Sequence, residues 1–176
     1  MMAEFNHETS NLANRLSVEE VGKVISAIME EDQDYKKGVM APDFVKRCNE
    51  VQFNPERRLC GVGISSCCMV ANGNVYPCAG CQEMVSGNLK KRHFAGYLGS
   101  FRKIKWLRSL KMKDLGNGEF CKCDKAAFCA PCMVRNANES KIGNPLEINR
   151  HFCAVAAKNK EIVMNWREAQ LKKIGK

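Results

Sequence analysis

Eleven of the 176 residues are cysteine, and their spacing is where this chain points to chemistry. Eight form an ordered series: Cys60-x6-Cys67-x10-Cys78, then Cys121-x1-Cys123-x5-Cys129-x2-Cys132-x20-Cys153. Cys48, Cys68 and Cys81 remain outside it. Eight thiols are enough for two four-thiolate sites, and thiolate-only sites suit soft partners, either zinc or iron–sulfur clusters. Spacing alone leaves both open. Zinc takes paired knuckles of the C-x2–4-C kind; Cys78-x2-Cys81 and Cys129-x2-Cys132 would serve, whereas Cys121-x1-Cys123 fits a knuckle less well.

A disulfide framework would need an oxidising compartment, and the first residues, Met1 to Glu8, hold two acids, no basic residue and no apolar core of a signal peptide. An odd cysteine count would also strand one thiol. No apolar stretch reaches the roughly 18–20 residues of a membrane span. The expectation is a reduced, cytoplasmic protein whose cysteines bind metal, with no membrane partner. The formal charge, 28 − 19 = +9, counts every cysteine as neutral. Two four-thiolate sites with divalent cores, each about 2−, would lower it to about +5. Part of the basic excess therefore offsets thiolate charge, and nucleic acid is not the expected partner. No Gly-rich phosphate loop, Ser/His/Asp set or paired carboxylates stands out, so a self-contained hydrolase or kinase is not expected. A (β/α)₈ barrel needs about 250 residues, which excludes a complete barrel enzyme.

The elements that must position these thiols are small. Ser17 to Glu20 fits a capping box, followed by Val18, Val21, Val24, Ile25, Ile28 and Met29 at helical spacing. Pro42 suits the start of a short helix over 42–49 carrying Phe44, Val45 and Cys48. Cys67 to Cys78 reads as a β-hairpin with Asn72-Gly73 as a two-residue type I′ turn. That turn places Cys67 opposite Cys78, sends Cys68 to the other face, and lets Pro77 end the second strand. A helix is expected from about Ser100 to Met112, with Phe101, Ile104, Leu107 and Leu110 as its stripe. Nine bases and no acid lie between Lys90 and Lys113, a solvated face rather than a nucleic-acid site. Cys153 precedes a last helix, about 159–173, with Ile162, Val163, Trp166 and Leu171. The fold class is α+β: a small metal-stapled domain with a β-hairpin and several helices, loop-rich around two cysteine clusters. Cys48 and Cys68 read as packing thiols, and Cys81 is open between spare ligand and bystander. His151 reads as packing, His7 and His93 have no partner visible in sequence, and Trp106 and Trp166 read as core anchors.

Cys60-x12-Gly73-x4-Cys78 with Val75-Tyr76-Pro77-Cys78, then Gly87-Asn88-Leu89, the dense group Cys121 to Cys132 and the trailing Cys153, resembles the SPASM domain over residues 60–153. That is the C-terminal auxiliary-cluster domain of radical S-adenosylmethionine enzymes that mature peptides and proteins. The resemblance implies two 4Fe–4S clusters, with Cys60, Cys67, Cys78 and Cys132 on the first and Cys121, Cys123, Cys129 and Cys153 on the second. The family's dense group is C-x2-C-x5-C-x3-C, and here both outer gaps are one residue shorter, a departure in the second cluster's ligand set for which Cys81 is the substitute ligand. The resemblance implies electron relay and positioning of a substrate peptide. The catalytic C-x3-C-x2-C motif of that superfamily does not occur. The expected partners are therefore a radical S-adenosylmethionine catalytic core outside this chain and a substrate peptide or protein, with no complete active site here. Residues 1–59 would be a helical flank, 60–153 the auxiliary-cluster domain and 154–176 a C-terminal helix. The rival expectation is a zinc-stabilised module that uses the basic helix on nucleic acid or another acidic partner.

Overall fold

The computed structural model describes residues 14–32, 43–48, 53–81, 84–91 and 102–174. Among them are six α-helices: α1 (Val18–Glu31), α2 (Asp43–Arg47), α3 (Arg102–Ser109), α4 (Glu119–Lys122), α5 (Met133–Glu139) and α6 (Arg150–Ile174). One antiparallel sheet joins β1 (Cys68–Met69), β2 (Asn74–Tyr76) and β3 (Gly87–Asn88), in that order. The class is α+β, as expected. No described helix is long and apolar enough to cross a membrane. The chain divides into two compact units with interleaved sequence. The first gathers described residues between Asn54 and Cys121 and between Pro131 and Ile148; the second gathers those up to Phe53, from Lys122 to Ala130, and from Asn149 onward.

In the first unit the hairpin forms, but its loop has three residues, not two. Gly73 N donates to the Val70 carbonyl (2.8 Å) and Val70 N to the Asn74 carbonyl (3.1 Å). Gly73 is left-handed (φ +88°) while Asn72 is not, so the type I′ turn, which needs both residues left-handed, is replaced by a loop closed on a glycine bulge. Asn72 instead accepts from Asn74 N through its side chain (2.9 Å). Cys68 consequently pairs with Tyr76 and Met69 with Val75. Gly87-Asn88-Leu89 closes the loop from β3: Leu89 N donates to the Gly73 carbonyl (2.8 Å), and Asn88 Nδ2 to Asn74 Oδ1 (2.8 Å). α3 ends at Ser109, three residues before the expected end, because the chain then pairs with the segment before Cys60. Leu59 N donates to the Leu110 carbonyl and Met112 N to the Arg57 carbonyl, each at 2.9 Å. Ile104, Leu107 and Leu110 are buried, as their spacing predicts; Phe101 lies outside the described residues.

In the second unit Ser17 caps α1 through the full box, accepting from Glu20 N while Glu20 accepts from Ser17 N. Its core is Met29, Val45, Cys48, Phe128 and Val163, with Trp166 packed against it, so Cys48 is a packing thiol. Val24 and Ile28 of the expected α1 stripe stay exposed. α6 begins at Arg150, well before 159, because Asn149 Oδ1 accepts from His151 N (2.9 Å) and Phe152 N (3.4 Å), the capping bonds of a helix start. Cys153 therefore sits in the first turns of α6 rather than ahead of it.

Candidate metal centres

The first thiol set is assembled by three segments of the first unit. Cys60 follows the Leu59–Leu110 pairing and opens a tight loop in which the Gly61 carbonyl accepts from Ile64 N, Ser65 N and Ser66 N at 3.0–3.2 Å. That loop is fastened to α3. Gly63 adopts φ +62°, where a Cβ would stand 3.0 Å from Ile104 Cγ2, and Arg108 Nε donates to its carbonyl (2.8 Å). Cys78 leaves β2 through Pro77 and begins a turn closed by Cys81 N on the Cys78 carbonyl (3.0 Å). Within it Gly80 N donates to Cys78 Sγ (3.4 Å). Cys132 is the N-cap of α5, its carbonyl accepting from Asn136 N (2.9 Å). α5 lies so close to the turn that a Cβ on Gly80 would meet Val134 Cγ1 at 2.9 Å.

Cys60, Cys78, Cys81 and Cys132 line one small cavity of about 20 Å³, together with Val62, Leu107 and Met133. Burial pushes the Cys81 thiol up to about 12, and the charges of Cys78, Cys132 and Cys60 push the same way. Cys67 is not among the lining residues; it is exposed, and Cys68 is half-buried on β1. The hairpin register accounts for this. Carried past the ladder, it sets Cys67 opposite Pro77 at the first step and Ser66 opposite Cys78 at the second, and a one-residue slip exchanges the faces of a strand.

Of the second set, Cys123, Cys129 and Cys153 belong to the second unit, and Cys121 does not. Cys153 lies on α6, its N–H donating to the Asn149 carbonyl (3.1 Å). Cys129 ends the 3₁₀ turn Ala126–Phe128, which α6 holds through Asn159 Nδ2 on the Phe128 carbonyl (3.0 Å). Next to Cys123, Asp124 accepts from Lys160 of α6 (2.9 Å) and from Lys125 (2.7 Å). Those two lysines, Lys125 first, hold its carboxyl down at about 2. Burial pushes Cys129 up to about 12, with the Cys153 and Cys123 charges adding. Burial and then the Cys123 charge also raise Cys153, while Lys125 opposes them. Cys121, in the first unit, is raised by burial and then by the Asp114 and Glu56 carboxylates.

All eleven cysteines are free thiols. Among the described residues no three Cys, His, Asp or Glu side chains converge into a ready-made ion site. The two sets are thus gatherings of thiols around shared space rather than preset coordination shells. Their chemistry fits a soft metal: every donor is sulfur, and the first cavity is walled by apolar side chains. His151 meets Phe152 edge-on at 5.9 Å, a packing role; His7 and His93 lie outside the described residues. Of the nine bases, Arg92 and the side chains of Arg102 and Lys103 lie outside them too, and Arg108 is engaged with Gly63. Sequence reasoning passed over Gly80 and Asn159. The first had a signal in the C-x2-C turn, where a glycine allows close approach; the second had none. Comparison with protein-family models, curated proteins and solved structures gave no match.

Proposed function

We propose that this chain is an iron–sulfur domain binding two auxiliary 4Fe–4S clusters, a SPASM-like part of a radical S-adenosylmethionine system that modifies peptides or proteins. The observation that carries the reading is the gathering of thiols into two separate sets. Cys60, Cys78, Cys81 and Cys132, spread over 72 positions of sequence, share one cavity; in the other unit Cys153 lies on α6, and the segments carrying Cys123 and Cys129 are held to that helix by Lys160 on Asp124 and Asn159 on the Phe128 carbonyl. Two separate sets, one of four thiols and one of three, support two metal centres. Bound clusters would supply one-electron transfer. The protein's own contribution is to hold the thiolates, exclude water from the first set with Val62, Leu107 and Met133, and place a cation, Lys125, beside the second. The partners are a radical catalytic core and its substrate peptide, and a reducing cytoplasm is the compartment that keeps so many thiols free.

Two observations favour a second reading, a zinc-stabilised binding module. The first cavity is small, and Cys78-x2-Cys81 with its N–H to sulfur bond has the form of a zinc knuckle. The metal and sulfide content of anaerobically purified chain, with its visible absorbance, decides. About eight irons and eight sulfides per chain with a brown colour support the iron–sulfur reading. About four of each mean that a single set is loaded. Zinc without sulfide overturns the redox role and leaves the binding module.

A further inference from the structure

The family resemblance implies Cys67 as a ligand of the first site; the geometry points to another residue. We propose that Cys81, not Cys67, supplies the fourth thiolate of the first site, completing a Cys60, Cys78, Cys81, Cys132 set for a thiophilic metal centre. The assignment rests on the metal-binding reading above and deepens it. Three independent observations carry it. Cys81 is 4% exposed and lines the same small cavity as the other three thiols, whereas Cys67 is exposed and does not. The three-residue hairpin loop moves the register by one, so that Cys67 no longer stands across from Cys78. And Cys78 to Cys81 is already folded as a two-ligand turn, with the Cys81 N–H on the Cys78 carbonyl and the Gly80 N–H on the Cys78 sulfur. That turn is pressed onto α5 at Val134, two residues after Cys132, which keeps its two thiols beside the third segment of the set.

Burial by itself also suits a small apolar thiol that packs without metal. The experiment must therefore separate ligation from packing. Full-length wild type, Cys67→Ser and Cys81→Ser are reconstituted anaerobically with iron and sulfide, and separately with zinc, and metal per chain is measured. Loaded wild type is also treated with iodoacetamide before and after chelation, and the labelled thiols are located by mass spectrometry. Cys67→Ser should hold as much metal as wild type, and Cys81→Ser should lose one site's content, about four irons and four sulfides or one zinc. Cys67 should alkylate in loaded wild type as fast as after chelation, a result that does not depend on any variant folding. Loss of a site in Cys67→Ser, or Cys67 protected until the metal is removed, would overturn the assignment while leaving the metal-binding reading intact. A wild-type chain that takes up neither iron nor zinc would overturn both.

Discussion

Gly80→Ala sets two effects of opposite sign against each other. Gly80 is not among the left-handed glycines, so its backbone accepts a side chain. Alanine there would by itself stabilise the fold by about 0.4–1 kcal/mol, by narrowing the freedom of the unfolded chain. The new Cβ, however, would lie 2.9 Å from Val134 Cγ1, 3.5 Å from its Cβ and 3.6 Å from its Cγ2. A valine in a helix has essentially one χ1 rotamer, so Val134 cannot swing aside and the backbone must give. Overpacking of this kind costs about 1–3 kcal/mol. The clash wins, with a net loss of about 1–2 kcal/mol. The strain falls between the Cys78–Cys81 turn and the helix that Cys132 caps, so it separates proposed ligands, and the same free energy is about a five- to thirtyfold weaker hold on metal. The assay is urea unfolding of the loaded chain beside competition with a chelator, for Gly80→Ala, Val134→Ala and the double variant. Removing the Val134 methyls should relieve the clash, giving a coupling of about 1 kcal/mol or more between the two sites. A Gly80→Ala chain as stable as wild type, with unchanged metal competition, would refute the close packing of turn and helix.

Asn159→Leu removes the donor to the Phe128 carbonyl and should cost about 1–3 kcal/mol. Its effect should be selective: metal on the Cys123, Cys129, Cys153 set falls while the first set keeps its content, as metal analysis in the Cys81→Ser and Cys129→Ser backgrounds would show. Glu56 is held down at about 2 by its bonds to Lys111 and Lys113, which fasten the segment before Cys60. Because the folded value lies below the ordinary 4.5, the stabilisation is complete above that value and disappears as pH falls towards 2. The thermal midpoints of wild type and Glu56→Gln should thus differ at neutral pH and converge in acid. These groups are about half exposed, so added salt should shrink the difference; a gap that persists at high salt would argue against the pairing.

Which parts of the molecule could be read from sequence follows from how local each signal is. The α1 capping box involves four consecutive residues and appears as written. The hairpin was legible as a hairpin, but its register depended on whether Asn72 turned left-handed. Asn72 accepts from the next-but-one N–H instead, and one residue of register decides whether Cys67 or another thiol faces the first site. The α6 start was legible and missed: Asn149 is a capping residue type, but the apolar positions nearer the C-terminus drew the boundary later. The meeting of the Cys78–Cys81 turn with Cys132 was reached only through the resemblance, which implies Cys78 and Cys132 on one cluster. It requires α5 to lie against Gly80, a contact between positions 54 residues apart that no local pattern encodes.

The two thiol sets differ in ways that order their redox behaviour if both hold clusters. Reduction adds a negative charge, and what surrounds the sulfurs decides how well that charge is tolerated. The first cavity offers apolar walls at Val62, Leu107 and Met133, with the Gly80 N–H on Cys78. The second set has two exposed thiols, Cys123 and Cys153, and the Lys125 charge acts on both. Asp124 offsets one positive charge, but Lys125 and Lys160 together leave this corner at a net +1. Water and a cation both stabilise added negative charge better than hydrocarbon does. The second set should therefore have the higher reduction potential, and electrons entering at the first would run downhill to it. Anaerobic redox titration of Cys81→Ser, which leaves the second set, and of Cys129→Ser, which leaves the first, reads the two potentials separately. Lys125→Met should lower the second potential and leave the first in place, and the shift should diminish with ionic strength because the lysine is partly exposed. A first set that is reduced at the higher potential, or a second that ignores the loss of Lys125, would show that solvent and charge at α6 do not set the order.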